Sequence, residues 1–182
     1  MLVNFVLFQF GWFACVLGAA HGMPWAGVAA ALVVVAWHLA RAPRPRPELT
    51  LLVIAAAIGF AWDSALVALG WIEYPNGALF PGTAPVWIVA MWVAFATTLN
   101  VSLGWLKRSL PLALLFGAVG GPLAYVAGGK LGGLSFLQQT PALIALALGW
   151  ALITPLLLRI ADRCDGYRIT SAATVTPGAG HA

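Results

Sequence analysis

One carboxylate, Asp63, sits inside an apolar run, Gly59-Phe60-Ala61-Trp62-Asp63-Ser64-Ala65-Leu66, that otherwise reads as a bilayer-spanning helix. An acid in that setting can carry a proton, hold a ligand or act in catalysis, and it can equally be a structural hydrogen-bond hub. At mid-membrane an Asp costs about 2.5–3.5 kcal/mol, while each Leu, Ile, Val or Phe returns about 0.3–0.6 kcal/mol. The surrounding run carries Leu51, Leu52, Val53, Ile54, Ile58, Phe60, Leu66, Val67 and Leu69, so insertion is feasible. No Lys or Arg falls at its depth. Its partners are therefore expected among Tyr125, Trp62 and Trp92, with His21 approaching from the rim. Together with Trp150, the tryptophans Trp62 and Trp92 would line a groove around Asp63 wide enough for an acyl chain.

A second polar group is expected nearer the other membrane face, formed by Asn100, Thr97, Gln9 and His38. Thr97 can bond a carbonyl of its own helix, but the Asn100 amide needs a neighbouring helix. His21 and His38 fall at opposite faces, so they cannot share a metal, and neither Cys15 nor Cys164 has metal-type spacing. No metal and no cofactor is expected. The sequence also has no Gly-rich phosphate loop, no His cluster, no paired carboxylates and no supportable Ser-His-Asp arrangement. Classical enzyme chemistry is accordingly less expected than a non-catalytic role.

The elements that must position these groups follow from composition. Of 182 residues, 62% are hydrophobic and 8% charged, which excludes a water-soluble domain and points to an all-α integral membrane protein. Six spans are read, at 2–20, 24–40, 50–70, 85–106, 110–128 and 140–161, making one transmembrane domain over 1–161 and a flexible cytoplasmic tail over 162–182. The link Arg41-Ala42-Pro43-Arg44-Pro45-Arg46-Pro47-Glu48 reads as stiff and extended, because its prolines lack amide protons and restrict their predecessors. The turn-rich stretch 71–84 reads as a partial lid, with Trp71, Tyr74 and Phe80 at headgroup level. Gly117 and Gly121 form a close-packing ridge with Ala113, and Pro122 is expected to kink its helix. Arg41, Arg44, Arg46, Lys107, Arg108, Arg159, Arg163 and Arg168 gather on one side and only Lys130 on the other, so both termini are expected in the cytoplasm. The net charge of +4 thus reads as topology, with no nucleic acid as partner.

The stretches Leu7-Phe8-Gln9-Phe10-Gly11-Trp12-Phe13, Ala19-Ala20-His21-Gly22, Trp62-Asp63-Ser64, Phe95-Ala96-Thr97-Thr98-Leu99-Asn100 and Gly120-Gly121-Pro122-Leu123-Ala124-Tyr125 resemble the bacterial inner-membrane family known as domain of unknown function 2878. The resemblance covers roughly residues 1–160. It implies a bacterial inner-membrane location and an association with membrane-lipid metabolism, and it carries over no catalytic residue. The leading expectation is an accessory protein of membrane lipid or fatty-acid modification, with membrane lipids and other membrane proteins of such a pathway as partners. The alternatives are a small proton-coupled transporter or permease, in which Asp63 carries the proton and Pro122 lets the bundle rock, and a membrane enzyme using Asp63 and Tyr125 as acid and base.

Overall fold

The computed structural model describes residues 1–168. Six α-helices account for most of them: α1 (Leu2–Ala20), α2 (Pro24–Arg41), α3 (Pro45–Ala68), α4 (Val86–Ala96), α5 (Leu110–Lys130) and α6 (Gln139–Arg163). Five are long and apolar enough to cross a membrane, and α4 is shorter. Many large apolar side chains, such as Phe10, Leu32, Val53, Leu115 and Leu152, face outward, which suits a lipid solvent. The chain forms an all-α multi-pass membrane protein.

Consecutive helices pair as hairpins, α1 with α2, α3 with α4 and α5 with α6, and α4 packs against α1 and α2 as well as α3. Glycines set the closest approaches. A Cβ on Gly27 of α2 would meet the backbone of Cys15 in α1, and a Cβ on Gly117 or Gly121 of α5 would overlap Trp150 of α6. The α5–α6 contact therefore uses the small-residue ridge expected from the sequence. Pro122 lies inside α5, which runs through it without interruption.

Two expectations about helix limits need correction. The third helix begins at Pro45, five residues before the expected start, with Pro45 and Pro47 inside its first turn. The first four amides of a helix have no intrahelical acceptor, so proline there forfeits no bond and only residues 42–44 remain as connection. The fourth helix ends at Ala96 and gives way to turns and a short 3-10 helix, Gly104–Arg108. Thr97 and Thr98 turn their hydroxyls back onto the carbonyls of Ala94 and Phe95, at 2.7 and 2.6 Å. Their side chains thus satisfy carbonyls that a continuing helix would have used. The buried Thr97 carbonyl, left free of helix bonding, accepts from Asn4 Nδ2 of α1 at 3.1 Å.

At the end carrying Lys130 the loops are sewn together. Strand β1 (Ile72–Glu73) pairs antiparallel with β2 (Ser135–Phe136), Ile72 opposite Phe136 and Glu73 opposite Ser135. Asn76 Nδ2 donates to the Ala19 carbonyl at 2.7 Å, Trp87 Nε1 donates to the Asn76 carbonyl at 3.2 Å, and the Ala84 amide donates to Ser64 Oγ at 3.0 Å. Gly77 makes the turn with φ of 86°, a left-handed conformation that side-chain-bearing residues avoid. At the opposite end α6 continues to Arg163, and residues 164–168 fold back over the helix ends. The expected tail boundary at Asp162 is therefore too early, and 169–182 lie outside the described residues.

Candidate functional site

Asp63 is fully buried and receives three hydrogen bonds from three different elements. Tyr125 Oη of α5 and Tyr74 Oη of the 71–85 loop each donate to Oδ1 at 2.6 Å, and Trp92 Nε1 of α4 donates to Oδ2 at 2.7 Å. An indole can only donate, so the Trp92 bond fixes Oδ2 as an acceptor. Gly59, one helical turn before Asp63, makes room for the Trp92 ring, which lies where a Cβ would be. Trp92 in turn stacks on Trp150 with ring centroids 4.5 Å apart and planes 15° apart. The acid is thus met by neutral donors and not by a cation. Burial drives the Tyr74 phenol well above its ordinary range, and the Asp63 charge adds to it, so Tyr74 stays a donor.

The remaining residues expected around Asp63 lie elsewhere. Trp62 points toward Gly149 of α6 and its buried Nε1 has no partner among the described residues. Adjacent positions on a helix point about 100° apart, so Trp62 and Asp63 cannot serve one contact. His21 is exposed and bonds the Leu17 carbonyl at 2.8 Å, closing the end of its own helix. Tyr74, read as a headgroup anchor, was legible only as a hydroxyl eleven residues beyond the acid.

At the basic end a second acid appears that the sequence reading placed in a connection. Glu48 is fully buried in the first turns of α3 and accepts from His38 Nε2 at 2.9 Å, Asn100 Nδ2 at 2.7 Å and the Gly166 amide at 2.7 Å. Asn100 passes the network on, accepting from Lys107 Nζ at 2.6 Å, and Lys107 pairs with Asp165 at 3.3 Å. The returning segment is strapped down by Arg44, which donates to the carbonyls of Asp165 and Arg168 at 2.7 and 2.9 Å, and by Tyr167, whose hydroxyl donates to the His38 carbonyl at 2.7 Å. Partial burial, followed by the Glu48 charge, pushes the Tyr167 phenol up to about 12, and Arg41 opposes the shift. Asn100 and His38 therefore do come together, through Glu48. Thr97 and Gln9 do not join them: Thr97 is occupied with its own helix and Gln9 faces the apolar groove described next. The signal for Glu48 was present as proline at a helix start followed by an acid in the first turn.

Between α1 and α5 runs a cavity of about 470 Å³, floored by α4 and Trp150. Phe8 and Trp12 form one wall, Gly120 and Tyr125 the other, with Trp92 and Phe95 beneath. Rim residues Phe5, Phe116 and Leu123 are exposed, so the cavity opens sideways toward lipid. Tyr125 belongs to both features: its ring lines the groove and its hydroxyl binds Asp63. Among the described residues no three His, Cys, Asp or Glu side chains gather in a way that would hold a metal ion.

The model of the family described as protein of unknown function (DUF2878) matches residues 1–156, and the chain belongs to that family. No curated protein and no solved structure matches the chain.

Proposed function

We propose that this DUF2878 protein is a lipid-binding accessory protein of the bacterial inner membrane that takes one acyl chain into the α1–α5 groove and serves an enzyme of lipid or fatty-acid modification. The observation that carries the reading is the groove itself, an apolar, aromatic-floored cavity of about 470 Å³ open to the side. Sites for small molecules typically have about 300–1,000 Å³ and mostly apolar walls. Along α1 the lining extends from Phe5 to Val16, which at 1.5 Å per residue is about 17 Å. A hydrocarbon core is about 30 Å thick, so the groove, centred near the middle of α1, has about half that length, enough for one acyl chain. The Asp63 centre stiffens its wall by tying Tyr125 and Trp92 to α3 and to the loop. In this reading the basic end faces the cytoplasm, and a reporter fused after Asn76 reads periplasmic.

Gly120 provides the test. A Cβ there would meet only Phe116, at 3.9 Å, so a larger side chain enters the groove without displacing a helix. Gly120→Trp is expected to weaken binding of a fluorescent stearic-acid analogue to the purified protein at least about tenfold, a change of about 1.4 kcal/mol, while its thermal unfolding in detergent stays close to wild type. Unchanged binding by the Trp variant would remove the groove as the site.

A further inference from the structure

Polar groups that line the groove without a protein partner among the described residues include the buried Trp150 Nε1 on its floor, which can only donate, and the half-buried Gln9 carboxamide, which can donate and accept. Gln9 lies on its α1 wall, and its carboxamide makes no hydrogen bond among the described residues. The other amide of α1 is treated quite differently. Asn4 is buried and uses both ends of its side chain, donating to the Thr97 carbonyl at 3.1 Å and accepting from Ser102 Oγ at 2.7 Å. Across the floor, the Thr98 hydroxyl has already spent its proton on the Phe95 carbonyl. A carboxamide offers two donors and an acceptor, and saturated lipid tails supply nothing to meet them. Such a group in a ligand groove either costs free energy or meets a polar atom of the ligand.

Depth narrows what that atom belongs to. Gln9 is seven residues from the start of α1, or about 10 Å along the helix axis. The nineteen residues of α1 span about 28 Å, close to the full hydrocarbon thickness, so the carboxamide lies well inside the core and below the level of ester linkages. We infer that the groove takes an acyl chain carrying a hydroxyl or keto oxygen part-way along its length, and that Gln9 is the residue that recognises this oxygen. The inference rests on the groove reading above and adds the class of chain. Gln9 can donate to either oxygen and accept from a hydroxyl, so it distinguishes an oxygenated chain from a plain one. It does not act on the chain chemically.

The test uses the full-length protein in detergent, with displacement of the fluorescent stearic-acid analogue by stearic acid or by 9-hydroxystearic acid. The same two chains are also presented at the second position of phosphatidylglycerol, to separate a free acid from an esterified one. Wild type should bind the hydroxylated chain about five- to tenfold more tightly than the plain one in at least one of the two presentations, the range expected for one hydrogen bond. Gln9→Leu and the more slender Gln9→Met should bring that ratio below about twofold while still binding stearic acid, so that loss of preference is separated from loss of folding. Equal binding of the two chains by wild type in both presentations, or a preference that survives both variants, would overturn the role of Gln9 and leave the groove standing. Failure of every chain to displace the analogue would overturn the groove reading and this one with it.

Discussion

Helix α3 carries two fully buried carboxylates, Glu48 near its start and Asp63 near its end, about 22 Å apart along one helix. Each accepts three hydrogen bonds, yet almost nothing else about them is alike. Around Glu48 the donors are an imidazole, an amide side chain and a backbone N–H from a returning segment, with Lys107 one bond further out. Around Asp63 they are two phenols and an indole. The difference follows from depth. At a membrane face irregular backbone and cations are affordable because water finishes the solvation, whereas irregular backbone inside the core must itself be buried or paired. An aromatic side chain brings a single donor on an apolar body, so three of them can neutralise an acid without adding any other unpaired group. The same functional group is thus solvated in two ways, by a strap at one end and by aromatic side chains at the other.

The largest expected effect comes from removing each acceptor outright. Asp63→Leu strands two phenols and an indole, of which Tyr125 and Trp92 are buried, and should lower stability by about 3 kcal/mol, read as thermal or denaturant unfolding in detergent. Glu48→Leu should cost only about 1–2 kcal/mol, because the 164–168 segment can loosen and admit water. Equal costs at the two positions would break the comparison. A milder pair of variants sharpens it. In Asp63→Asn the amide oxygen can face Trp92 while its NH₂ donates to Tyr74 and Tyr125, whose hydroxyls can accept, so the cost should fall to about 1 kcal/mol. That rescue depends on the phenols. Repeating Asp63→Asn in a Tyr74→Phe, Tyr125→Phe background should abolish it, since the Asn NH₂ then has no acceptor.

The smallest effect concerns the strap. The folded Tyr167 phenol titrates near 12, above the ordinary value of 10, because burial and the Glu48 charge disfavour the phenolate. A raised acid pKa means the unfolded or released segment loses its proton first. The contribution of Tyr167 is therefore complete below pH 10 and disappears as the pH rises from 10 to 12. Proteolysis of the 164–168 segment should accelerate over that interval in wild type, and Tyr167→Phe should remove the pH dependence. Acceleration that persists in the Phe variant would assign the strap to another group.

The long spans were legible because hydropathy over about twenty residues reports directly on the solvent they must suit. Asp63 was legible because it interrupts such a run. Its partners were only half visible: Trp92 and Tyr125 sit on helices whose depth can be counted, but Tyr74 returns to the acid through a loop whose path no periodicity encodes. Glu48 was obscured by the prolines before it, which read as breaking a helix when they begin one. The end of α4 was hidden for a similar reason. Thr97 and Thr98 suit the polar stripe of a long span, and only their hydroxyl bonds to Ala94 and Phe95 show that they stop the helix. Gln9 was placed by depth alone, which cannot tell which side of α1 meets a neighbour.

The short α4 has a consequence for biogenesis. Eleven residues reach only about 16 Å, roughly half of the hydrocarbon, so α4 cannot be released into the bilayer as a free-standing insertion unit. Its frayed end is completed by Asn4, a residue synthesised 93 positions earlier, and its body by contacts with α1, α2 and α3. The seat of α4 is thus completed only by helices that precede it in the chain, with Asn4 occupying the carbonyl at its end.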